Sequence, residues 1–259
     1  MTEELNGVEN NPVEATPPTP ISSSKNYDKR RRVIALTAVP VLLAASLIVS
    51  IPIAVIYMTP NIPVVVAILA TLAAEFLALA WAIWYGKLTP LKDFLYLRLP
   101  KWWYIPVGIV AGILGYVILQ LGAMATTSIF GAEVGSSDTS TQLGNLQGFQ
   151  AFIVLIGLVA VLGPVTEEFY FRGIIVGALQ NSKWNKPWIA IVVSGVSFGL
   201  MHFQGAGSVT DIFVLLWTMT MGFGFAWLLL KTKSIWTPVA AHVAYNAVTA
   251  IILLSGFEG

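Results

Sequence analysis

The stretch TEEFYFRG, residues Thr166 to Gly173, places two carboxylates and a guanidinium inside a run from Phe152 to Leu179 that is otherwise apolar enough for a bilayer. A charge at the centre of a membrane helix costs from about 2.5 kcal/mol upward, so such residues are rare there and have a use. Other apolar runs hold Glu75, His202, His242 and the amide Asn246, and the chain's two histidines are both among them. The chemistry this set can do is proton transfer. Amide hydrolysis needs a base for water, donors for the developing oxyanion and an acid for the leaving amine, and these residue types supply all three.

Helical spacing sorts them. Residues four apart share a face, whereas neighbours diverge by about 100°. Glu168 and Arg172 form an i,i+4 pair, and mutual neutralisation is sufficient reason for both, so they are read as shaping the site. Glu167 then points elsewhere and is free to act as base. In HVAYN, His242 and Asn246 stand one turn apart, two donors for one small object; in FGLMH, Phe198 sets an aromatic ring one turn from His202. Ser194, Ser197 and Ser208 are near His202 in sequence, but none has a base and an orienting group beside it. The chain has no cysteine, which removes thiolate chemistry and disulfides. Two histidines and a carboxylate are also a common zinc set, in which the ligands would be Glu167, His202 and His242. The HExxH helix is absent, so no cofactor is expected, with zinc or another divalent metal as the alternative. Glu75 fits none of these groupings and is read as a structural acid.

The elements that must position these residues are membrane helices. Of 259 residues, 56% are hydrophobic and 10% charged, far from the roughly 25% charge of soluble domains. A net charge of +1 offers no field for nucleic acid. Residues 1–28, rich in proline, serine and acids, read as a disordered cytoplasmic tail, and 29–259 as one helical domain. The first apolar run starts only at Val33 and extends too far for a signal-peptide core, so no cleaved leader is expected. Runs of about 20 residues, enough to cross a core of about 30 Å, fall near 33–58, 62–85, 103–126, 149–180, 188–204, 212–230 and 235–254. The fourth is expected to be one long helix kinked at Pro164.

The fold class is therefore all-α, a polytopic bundle of about seven transmembrane helices. Basic residues orient it, because Lys and Arg collect in cytoplasmic loops. They stand before the first span, and after the second, fourth and sixth, and Arg172 alone lies within a span. This places the N-terminus inside and the C-terminus outside. Counted from the cytoplasmic ends, Glu167 and His202 both lie about 20 Å deep, and Arg172, His242 and Asn246 about 10–17 Å deep. One shared polar site is thus allowed. The second loop, KLTPLKDFLYLRLPKWWY, mixes basic and aromatic residues as an amphipathic segment at headgroup depth does. The outer loop 127–148 is mostly polar, with acidic residues its only charges.

Together, EEFYFR, FGLMH and HVAYN, in that order on three late spans, resemble the intramembrane proteases of the CAAX prenyl protease and bacteriocin-processing family, with its patterns EExxxR, FxxxH and HxxxN. The resemblance covers roughly residues 90–250, and no motif position departs from the pattern. It implies that Glu167 with His202 activates water, that His242 with Asn246 holds the oxyanion, and that Glu168 with Arg172 shapes the site. Members of the family are often called metalloproteases. The function expected is intramembrane endopeptidase, acting on a peptide or membrane-anchored protein from within a bacterial cell membrane.

A non-catalytic binding or immunity protein on the same fold is the alternative. A proton-coupled transporter is less favoured, because the matching broken helices of inverted repeats are missing. Topology provides a direct check. Cysteines introduced at Ser136 and Ser208 should react with an impermeant thiol reagent added to intact cells, while one at Ser182 should stay unlabelled; labelling of the Ser182 variant would break the seven-span reading.

Overall fold

The structure, a computed structural model, describes residues 64–88, 94–131, 148–182, 184–203 and 208–255. These residues are all-helical, with no strand among them. The expected span 33–58, the tail 1–28 and most of the outer loop, 132–147, lie outside the described residues. Helices α1 (Val64–Leu88), α2 (Tyr104–Phe130), α4 (Pro187–Met201), α5 (Val209–Thr232) and α6 (Trp236–Leu254) flank a long rod, α3, over 148–180. Five of the six are long and apolar enough to cross a membrane. The exception is α4, expected as a span over 188–204. Its 15 residues rise about 22 Å, short of a core of about 30 Å, and it is capped by His202.

The rod α3 is continuous through Pro164 but not uniformly α-helical. Two wide π-helical stretches, Ile153–Leu162 and Phe169–Val176, flank the α turn Gly163–Glu168. Proline has no N–H to give, which loosens the turn before it. The Gly163 N–H accordingly donates to the Leu158 carbonyl, one residue further back than in an α-helix. The expected single long helix is present, and it carries a wide turn just before Pro164.

Around this rod pack α1, α4, α5 and α6, while α2 lies chiefly along α6 and α4 pairs with α5. Small residues set these seams. Gly108 and Gly112 bring α2 onto the backbone of α6, and Gly195 and Gly199 bring α4 onto α5. Between α1 and α2 the chain does not simply lie at headgroup depth. Phe94 and Leu95 are buried in the main core, against Gly86 of α1 and Gly173 and Gly177 of α3. Tyr96 adopts a left-handed backbone, φ 55°, and its carbonyl accepts the Ile235 N–H at 2.9 Å. Trp236 Nε1 donates to the Leu97 carbonyl at 3.1 Å. This strap thus ties α1, α3 and the start of α6 together. Leu97, Leu99, Trp102 and Trp103, with Arg98 and Lys101, are exposed and keep the interfacial character expected of the loop.

A Cβ on Gly112 would overlap the Ala241 carbonyl, the residue before His242. Gly112→Val should therefore push α6 off α2 and destabilise the bundle by about 1–3 kcal/mol, as overpacking does. Gly224→Ala, where a Cβ meets nothing within 4 Å, should be neutral or stabilising by up to about 1 kcal/mol. Thermal unfolding of the two variants in detergent tests the contrast.

Candidate active site

The polar residues of α3, α4 and α6 converge around one fully buried ion pair. Arg172 Nη1 lies 3.1 Å from Glu168 Oε1, and both side chains are 0% exposed. The expected i,i+4 pair is present, within the turn where α geometry gives way to the second wide stretch. Arg172 also donates from Nη2 to the Gly222 carbonyl of α5 at 3.3 Å. Its guanidinium lies over the rings of Phe198 at 4.5 Å and Phe225 at 5.2 Å. These rings supply the negative faces that a buried cation needs when one carboxylate is its only anionic partner.

Glu168 does more than neutralise arginine. The same Oε1 lies 2.9 Å from His242 Nδ1. A carboxylate only accepts, so Nδ1 carries the proton and the ring is held in one tautomer, with Nε2 turned to the other glutamate. His242 Nε2 is 3.7 Å from Glu167 Oε2. That distance is too long for a hydrogen bond and short enough for both atoms to reach one water molecule. Glu167 Oε2 is buried with no hydrogen-bond partner among the described residues, although the side chain as a whole is 33% exposed. The imidazole is clamped by Phe225, stacked at 4.9 Å, and by Phe198, edge-on at 5.6 Å. Sequence spacing separated the roles of the adjacent glutamates but could not show that α6 sets one histidine between them.

Two expected partnerships are rearranged. His202 caps the end of α4, where its Nδ1 bonds to the Phe198 carbonyl at 2.9 Å and its ring lies 4.5 Å from that of Phe198. Among the described residues no hydrogen bond or ion pair joins His202 to Glu167; the Phe198 ring stands between His202 and His242 instead. Asn246, expected to aim its amide at an oxyanion beside His242, donates one N–H to the Val159 carbonyl at 2.9 Å. That is the carbonyl an α-helical Gly163 would have taken, and the wide turn of α3 leaves it to α6. The other N–H of the amide is uncommitted among the described residues.

Among the described residues no three His, Cys, Asp or Glu side chains gather so as to hold a metal ion. The serines have other duties: Ser194 Oγ donates to the Phe171 carbonyl at 3.0 Å, and Ser208 caps α5 in a reciprocal pair of hydrogen bonds with Asp211.

Residues 149–248 match the sequence model of a family described as type II CAAX prenyl endopeptidase, Rce1-like. The chain is 32% identical over 152 residues, 58% of each chain, to YdiL of Bacillus subtilis strain 168, whose name describes it as a candidate membrane peptidase. It is 27% identical over 169 residues, 64% of each chain, to MroQ of Staphylococcus aureus strain USA300, named a membrane-embedded CAAX protease. The chain spans less than two thirds of the length of each of these relatives. No solved structure matches it. With its apolar helices, these relatives make it a multi-pass bacterial membrane protein.

Removing Glu168 should expose how much depends on it. Glu168→Ala leaves Arg172 buried without its anion, at a cost of about 3–5 kcal/mol. Adding Arg172→Met should recover most of that stability, yet leave His242 without its tautomer-fixing acceptor. Thermal unfolding and the nitrogen-15 spectrum of His242 in the single and double variants check the two halves separately.

Proposed function

The matches over residues 149–248 support the CAAX prenyl protease and bacteriocin-processing family for this chain, and on that premise we propose that it is an intramembrane endopeptidase using water activated by Glu167. The observation that carries the mechanism is the unpartnered Glu167 Oε2, 3.7 Å from a histidine nitrogen whose opposite side is locked onto Glu168. Water between Glu167 Oε2 and His242 Nε2 gives a proton to the carboxylate while its oxygen attacks the scissile carbonyl. The tetrahedral intermediate then collapses, the C–N bond breaks, and the same proton passes to the departing amine.

This reading exchanges the parts first given to the two histidines. His242 orients the water with Glu167. His202 serves the substrate from α4, across Phe198, with Asn246 offering its remaining N–H to the oxyanion. No step passes through a metal. The basic loops support a cytoplasmic N-terminus, and hence a site reached from the inner half of the bilayer by a peptide or membrane-anchored protein.

Purified chain assayed on a peptide with an apolar membrane anchor tests this directly. Glu167→Gln should abolish cleavage while folding survives, because the shape remains and the base is lost. Asn246→Ala should lower kcat by about 10²–10³ with little change in KM, the mark of an interaction made in the transition state. A chelator should leave the rate unchanged. Wild-type cleavage by Glu167→Gln, or a stoichiometric metal whose removal stops cleavage and whose return restores it, would overturn the mechanism.

A further inference from the structure

Where α2 lies along α6, one flank of the seam is left as an apolar groove of about 480 Å³. Gly108 and Gly112 hold α2 against the α6 backbone, and the groove runs beside that contact. Its wall on α2 is Ile105 and Ile109, one turn apart; its floor on α6 is Trp236, Ala240 and Ala244, again spaced by one turn. Val239 and Val243 close the far side, where they pack against the main core around α3. Ile109 is 40% exposed, so the groove opens outward, toward the bilayer. The floor over 236–244 is about 12 Å long. Starting at the cytoplasmic end of α6, it reaches through most of one leaflet of a hydrocarbon core of about 30 Å.

The lining side chains are hydrocarbon apart from the Trp236 indole, whose Nε1 already donates to the Leu97 carbonyl at 3.1 Å. A peptide laid there would leave backbone N–H and C=O groups unpaired at membrane depth, whereas an acyl chain has none to satisfy. The mouth is different. Lys101 stands one turn before Ile105, in the turn that leads into α2, where the Tyr104 N–H donates to the Lys101 carbonyl at 2.9 Å. Lys233 stands three residues before Trp236, and both lysines are exposed. Their stems are long enough to keep the ammonium groups at headgroup depth. No acid stands in α2, in α6 or among the described strap residues 94–101, so this end of the groove is positive. An apolar channel one leaflet deep beneath two cations is complementary to a molecule with a hydrocarbon chain and an anionic head. We infer that the groove binds an anionic phospholipid of the inner leaflet, with one acyl chain along 236–244 and its phosphate against Lys101 and Lys233. The chain lies against Val243, the neighbour of His242, and covers a flank of α6 that no helix covers. This binding does not depend on the proposed hydrolysis.

Native mass spectrometry of the full chain in detergent, with phosphatidylglycerol or phosphatidylcholine of matched chains added, tests the assignment. Each cation at a membrane surface favours an anionic lipid by about 5-fold, so phosphatidylglycerol should bind about 10-fold or more tighter than phosphatidylcholine. Replacing both lysines, Lys101→Gln with Lys233→Gln, should bring the two lipids level. Ile109→Trp fills the groove and should lose the bound lipid. Leu121→Trp, at a 60% exposed position of the same helix beyond the groove, should keep it. Should Ile109→Trp fail to fold, as judged by thermal unfolding, the double lysine variant carries the comparison. Equal binding of the two lipids by the wild-type chain would mean unselected contact with the bilayer, and unchanged preference in the lysine variant or unchanged binding in folded Ile109→Trp would put the lipid elsewhere. Displacement of bound phosphatidylglycerol by a peptide with an apolar membrane anchor would give the groove to a substrate instead. Each of these results overturns the inference, and none requires the chain to cleave anything.

Discussion

The contacts of α4, α5 and α6 with α3 are arranged around the need to keep Arg172 and Glu168 paired, both side chains fully buried. A lone charge at that depth would cost several kcal/mol, and the pair survives because each member has further partners. Arg172 has the Gly222 carbonyl and two aromatic faces; Glu168 has His242. Those partners sit on α4, α5 and α6, so satisfying one ion pair fixes three helices against the fourth. The imidazole is thereby delivered to Glu167 already oriented. In the proposed hydrolysis, orientation in the folded state would spare the reaction the cost of arranging it.

The types of residue and their spacing along each helix were legible in the sequence. Period-four spacing predicted the pairing of Glu168 with Arg172 and of Phe198 with His202, and apolar run lengths predicted most of the helices. What spacing cannot show is which helix faces which. The oxyanion role of His242 is what the family resemblance implies, beside Asn246 one turn away; its hydrogen-bond partner Glu168 is 74 residues distant in the chain. The strap was misread for a related reason. Phe94 and Leu95 look like interfacial residues until the gaps above Gly86, Gly173 and Gly177 are seen to receive them. The length of α4 was overestimated because apolar residues continue to Phe203, whereas its helical hydrogen bonding closes at His202.

The wide turns of α3 were legible only as a disturbance at Pro164. Whether a proline yields a kink or a wide turn depends on which donors reach the carbonyls it leaves over. Here a donor comes from outside the helix, an amide on α6. Local sequence holds half of that exchange, and the tertiary contact holds the rest.

The bond between Asn246 and the Val159 carbonyl joins a side chain to a backbone atom. Any residue other than one that alters the backbone path can stand at 159 and still present that oxygen. Position 159 can therefore drift freely among related sequences while its shape stays indispensable, and only the asparagine end of the tie leaves a trace in sequence. A residue judged dispensable because it varies would here be half of the joint that holds α6 to α3.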